Sequence, residues 1–174
     1  PTIVAMVMLA GAASLFVGNA HQAQMPEFAT DFGHGASAGQ AGTGIYYTVL
    51  LAANAIGALA GGLVLESRNM LPAKTSTAFI LAALWCVAIA AFAMTTSYYM
   101  AVALLFVSGV LNLAFNSMAQ TLVQLNAPIE IRGRVIGLYN TSGMGLKAFS
   151  GLTVGVGGSF IGIHNSLALS AAIL

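Results

Sequence analysis

Charge is what this sequence has least of: five basic and four acidic residues are spread over 174 positions. A water-soluble domain carries about 25% charged residues. So few ionised groups cannot clothe a body of this length, and most of its exterior must meet lipid. Cysteine is nearly absent as well. The single Cys86 excludes an intrachain disulfide, and His21, His34 and His164 stand too far apart for a metal motif of the HExxH type. No metal and no cofactor are therefore expected. There is no GxxxxGKS/T loop, since Lys147 follows Leu146 rather than glycine, and direct nucleotide hydrolysis is unsupported. A net charge of +1 from scattered basic residues offers no patch for a phosphate backbone, so no nucleic acid partner is expected.

What the sequence does have is apolar run after apolar run, 59% hydrophobic residues in all. A spanning helix needs about 20 of them. Charges mark the ends, because each costs a few kcal/mol at the bilayer centre. The first pass runs from about Thr2 to Ala20 and exits into a loop holding Pro26, Glu27, Asp31 and several glycines. The second, about Gly42 to Leu65, ends at Glu66, Ser67 and Arg68. From Thr75 to Ile129 there is no charge over 55 residues, enough for two passes, with the break expected at Thr95 to Tyr99. That gives a third pass near Ser76 to Met94, a fourth near Met100 to Gln124 and, past Pro128, a fifth from about Val135 to Gly158. The stretch from Ile161 to Leu174 is the opening of a sixth. The expected fold is an all-α, polytopic membrane protein with five full transmembrane helices plus a truncated sixth. Both ends fall inside apolar sequence, so the chain reads as a piece of a longer protein.

Topology follows from the basic residues. Arg68 and Lys74 lie between passes two and three, Arg132 and Arg134 between four and five, while the alternate loops contain no Lys or Arg. The positive-inside rule puts loops 66–75 and 126–134 in the cytoplasm.

Polar side chains within lipid should face other helices or a wet cavity. Pass three carries no Asn, Gln or charge between Phe79 and Met94, only Trp85 and Cys86, and reads as lipid-facing. Pass four is its opposite: Asn112, Asn116, Gln120 and Gln124 recur every four residues and form a slowly winding stripe. Asn112 and Asn116 sit deep enough either to line a cavity or to bond a neighbouring helix. Pass two presents Ala53, Gly57 and Gly61 as a small-residue packing face, with Asn54 beside it. Lys147 lies about 18 Å beyond the start of pass five, near the midplane. It belongs to a four-residue ladder with Gly143, Gly151 and Gly155, so it either contacts a solute or snorkels outward. Asn140, seven residues earlier, falls on nearly the same face of a straight helix.

Two stretches resemble the major facilitator superfamily of secondary transporters. LNAPIEIRGRVIGLY, Leu125 to Tyr139, is similar to the loop between its tenth and eleventh helices in the branch containing the enterobactin exporter and related efflux proteins; the ProX3ArgGlyArg pattern stands at Pro128, Arg132, Gly133 and Arg134. GALAGGLVLESRNMLPAK, Gly57 to Lys74, is similar to the segment joining helices eight and nine, with Glu66 and Arg68 in the cytoplasmic turn but the usual glycine and paired basic residues missing. The resemblance implies that residues 1–174 are the C-terminal half of a transporter, helices seven to eleven and the start of twelve, working against an N-terminal six-helix half. It further implies export of a small amphiphilic solute, of drug or siderophore type, by alternating access in the bacterial inner membrane. Asn54, Asn112, Asn116, Asn140 and Lys147 would then face the solute, and Glu66, Arg68, Arg132, Gly133 and Arg134 would form a cytoplasmic gating loop. Partners would be the lipid bilayer, the solute, the other half and, for an antiporter, protons; the coupling carboxylate would lie in the other half. Two other readings compete. One is a non-transporting membrane scaffold or sensor. The other is an intramembrane serine protease pairing Ser142 with His164, against which stands Asn140 where a GxSG motif needs glycine.

Overall fold

The computed structural model describes residues 2–18, 21–22, 25, 43–68, 74–150, 159 and 162–173. Every regular element among them is helical. Lipid offers no water to a free N–H or C=O, so a chain this apolar satisfies its backbone within each segment. Helix α1 covers Thr2–Phe16, α2 Thr43–Arg68, α3 Thr75–Met94 and α4 Tyr98–Asn126. Helix α5 opens over Arg132–Asn140, passes through a π-helical turn at Thr141–Gly145 and resumes over 146–150, and α6 covers Ile163–Ile173.

Among the described residues three helices are long and apolar enough to cross a membrane: α2 through Ile45–Val64, α3, and α4. The 15 residues of α1 rise about 22 Å, short of the roughly 30 Å of a hydrocarbon core. Its helix stops at Phe16 rather than running on to Ala20, and the Gly18 N–H turns back onto the Ala13 carbonyl. The long uncharged run divides at Thr95, whose φ of −79° and ψ of 143° leave the helical region. Ala127, also extended, ends α4 ahead of Pro128.

Helix α4 sits at the centre, against α2 on one side and α3 on another, and it also touches α1 and α5; α6 packs on α3. The α2–α4 contact is the closest. Gly57 lies against the Phe106 backbone, Gly61 against Val110, and Gly109 of α4 against the backbone of Asn54 and Ala58. A Cβ at Gly57 would overlap the Phe106 carbonyl oxygen, so only glycine lets the two backbones approach this far. The register rises along both helices together, which makes them a parallel pair. At their shared N-terminal ends the Tyr98 hydroxyl donates to the Tyr46 carbonyl at 3.0 Å, and the two rings meet edge to face.

The reading of the third pass as lipid-facing needs correction. Trp85, Cys86, Ile89 and Phe92 of α3 are buried. The Trp85 indole donates to the Ser108 hydroxyl of α4 at 3.1 Å and its ring stacks on Phe115. A lack of amides indicates that no wet cavity adjoins a helix; it does not indicate that no helix adjoins it. Only one edge of α3, with Ile80, Leu84, Val87 and Met94, is left open for acyl chains, as are Ile56, Leu59 and Leu63 of α2.

Candidate functional site

In the amide stripe of α4, Asn116 bonds back to the preceding turn of its own helix. The Asn116 amide donates to the Asn112 carbonyl at 2.8 Å and lies 3.3 Å from its side-chain oxygen. Thr121 and Asn126 bond back to Ser117 and Leu122 in the same four-residue pattern. Such bonds allow a polar side chain to rest in lipid without a partner helix. Asn112, Asn116 and Gln120 are half-buried and Gln124 is exposed. The Tyr139 hydroxyl of α5 reaches the Asn116 carbonyl at 3.5 Å, which brings the stripe to the α4–α5 contact. Asn54 instead ties elements together, donating to the Leu105 carbonyl of α4 at 3.2 Å and accepting from Gln22 at 3.5 Å. Beside it an apolar groove of about 620 Å³, lined by Val49, Ala53, Ile56, Val102 and Phe106 among others, opens between α2 and α4. Apart from Tyr99 at its edge the lining side chains offer a solute no orienting group, and the groove is suited to hydrocarbon.

A second polar region forms where α5 packs on α1. The Ser142 hydroxyl, within the π turn, donates to the Val7 carbonyl at 3.1 Å. Further along, Gly11 faces Ser142 and Leu146, and a Cβ at Gly18 would come within 3.1 Å of the Lys147 Cγ. These two helices also run parallel. The Lys147 stem thus lies across the end of α1, half-buried, with no carboxylate acting on it among the described residues. Beyond Gly18, past the end of α1, His21 is only 2% exposed. Among the described residues neither of its ring nitrogens has a partner in hydrogen-bonding geometry. Burial, above all, pushes its ionisation down from 6.5 to about 4; the Val17 carbonyl works the other way, and the Lys147 charge adds to the depression.

The π turn matters to this arrangement because it accommodates an extra residue in one turn, rotating the rest of the helix by about 100°. On a straight helix Asn140 and Lys147 would share a face. Here Asn140 is exposed while Lys147 packs on Gly18. Gly143 sits near Ser14, whose hydroxyl oxygen would lie 3.9 Å from an added Cβ, and Gly151 and Gly155 fall outside the described residues.

The loop leading into α5 is exposed at Arg132, Gly133 and Arg134. Arg132 folds back to donate to the Ala127 carbonyl at 3.4 Å, and the Ile131 N–H closes a turn on Pro128. Glu66 and Arg68 end α2, but their side chains lie outside the description, as does that of His164. Glu27, Asp31 and His34 are likewise outside it. Among the described residues no group of three or more His, Cys, Asp or Glu could hold a metal.

Gly18, His21 and Gln22 are not legible as site residues in the sequence, where His21 enters only as a rejected metal ligand. The available signal is a His-Gln pair three residues after a glycine at the end of an apolar run, in a chain with very few charged or polar neighbours to offer it.

No curated protein and no solved structure matches the chain. The Major Facilitator Superfamily model matches residues 1–152, most of a sequence whose long helices are apolar, and the chain belongs to that superfamily.

Proposed function

We infer that the chain is the C-terminal half of a secondary transporter that exports a small amphiphilic solute by alternating access. Membership of a transporter family makes it a multi-pass membrane protein in contact with lipid and with small solutes, and not an enzyme. The serine protease alternative loses its nucleophile as well, since the Ser142 hydroxyl is committed to the Val7 carbonyl. The observation that carries the transport reading is the family match over residues 1–152. The finer reading has five full spans and a truncated sixth, with α5 continuing beyond its described residues, and a six-helix N-terminal half completing the cavity. Lys147, Asn112, Asn116, Asn140 and Asn54 present polar groups to the solute. Arg132, Gly133 and Arg134, with Glu66 and Arg68, form a cytoplasmic contact that holds one of the two states. The protein lies in the bacterial inner membrane with loops 66–75 and 126–134 inside.

The test is export of a panel of amphiphilic solutes by the full-length protein, comparing wild type with Lys147→Ala and Asn112→Ala. Loss of efflux of a transported solute, with protein level in the membrane unchanged, is the expected result. Solute accumulation indifferent to both substitutions would favour the non-transporting scaffold.

A further inference from the structure

Two features of the α1–α5 contact are unusual together. Among the described residues an imidazole is almost wholly buried with both nitrogens unpartnered, and a cation from the parallel helix, packed over Gly18 and near enough for its charge to act on the ring, has no carboxylate acting on it. A buried polar group without a partner is destabilising, and the Val17 carbonyl, although it acts on the ring, does not meet either nitrogen in hydrogen-bonding geometry. Such a group calls for an explanation, and a ligand that completes the site is one. The small residues fit the same picture: Gly18 has no Cβ, which leaves the Lys147 stem room to cross it.

The chemistry of the missing partner is dictated by the groups present. Lys147 only donates. His21, neutral, offers one N–H and one lone pair, and on gaining a proton offers two N–H groups. An oxygen-rich anion satisfies both side chains at once. We propose that His21 and Lys147 form the anchoring site for an oxyanion, a carboxylate, sulfonate or phosphate, carried by the transported solute. This inference rests on the transporter reading and adds the substrate class to it.

Binding is proton-linked. In the empty site the imidazole is neutral, because burial and the Lys147 charge both oppose a second cation. Among the described residues Lys147 is the charged group that acts on His21; no carboxylate or tyrosine does. An anion between them reverses that balance, so the imidazole takes up a proton from water when the anion binds and returns it when the anion leaves.

The experiment uses the full-length protein in phosphatidylcholine nanodiscs with ring-labelled histidine, the His21 signal being the one missing from His21→Gln. Its titration is followed by NMR with sodium benzoate, with isosteric neutral benzamide, and, separately, with phosphatidylglycerol added to the nanodisc. Benzoate is expected to raise the His21 titration midpoint by about one unit or more, benzamide to leave it unchanged, and Lys147→Gln to abolish the benzoate effect. No shift with benzoate, an equal shift with benzamide, or a shift that survives Lys147→Gln overturns the proposal. A shift produced by phosphatidylglycerol but not by benzoate also overturns it, assigning the oxyanion to a lipid headgroup. None of these failures touches the efflux result above, so loss of the anion site and loss of the transporter reading are told apart.

Discussion

At the scale of single residues, the chain spends its few polar groups in two different ways. Asn116, Thr121 and Asn126 bond the preceding turn of their own helix. Asn54, Trp85 and Ser142 bond across to a neighbour. Spacing in the sequence does not separate these uses, since a side chain four residues from its carbonyl acceptor and one facing another helix occupy the same periodic positions. Glycine is more legible. The Ala53, Gly57 and Gly61 spacing marks a close helix approach, and the partner backbone at Phe106 and Val110 is what that spacing serves. Gly57→Leu is expected to destabilise the α2–α4 pair by about 1–3 kcal/mol, because its Cβ has only the Phe106 backbone to meet. Gly137→Ala, in open space on α5, should be neutral or slightly stabilising. Thermal unfolding of the two variants in detergent checks both.

At the scale of elements, the uncharged stretch of 55 residues became two helices because a threonine, a threonine and a serine could leave the helical region at the lipid boundary. Lengths and breaks of α2, α3 and α4 follow from hydropathy and punctuation. The π turn in α5 does not: nothing in the Thr141–Gly145 composition beyond two glycines distinguishes it from an α-helical segment. Its effect is large, for it turns Lys147 away from Asn140 and onto α1. Deleting Met144, exposed within that turn, removes the extra residue that the turn absorbs, so α-helical winding should resume with the residues beyond it still facing α1. A cysteine at position 147 is then expected to keep its reactivity toward maleimide, and efflux by the full-length protein to persist at normal membrane abundance. A changed reactivity would mean that the extra residue in the turn does not set the direction of Lys147.

At the scale of the whole molecule, burial of His21 links stability to pH. Its ionisation falls from 6.5 in the unfolded chain to about 4 in the fold, so between those values the unfolded chain binds more protons and stability rises with pH. The contribution is fully present above 6.5 and disappears as pH falls through about 4. The midpoint of thermal unfolding, measured in buffer free of carboxylate and phosphate, should drop across that window in wild type. The drop should be smaller in His21→Gln, and the difference should amount to a few kcal/mol in order of magnitude.

Composition alone determined that this protein is helical and lives in lipid, because nine charges and long apolar runs leave a backbone no other way to satisfy itself. The Pro128 to Arg134 pattern pointed to the superfamily before any coordinates did. Which faces meet was decided only in three dimensions. Whether Trp85 looks at acyl chains or at Ser108, and whether Lys147 shares a face with Asn140 or lies over Gly18 beside His21, depends on helix rotation and crossing. Hydrophobicity says little about either, since in a bilayer the lipid and the neighbouring helix are almost equally apolar, and the choice rests on backbone approach at glycine and on a few hydrogen bonds.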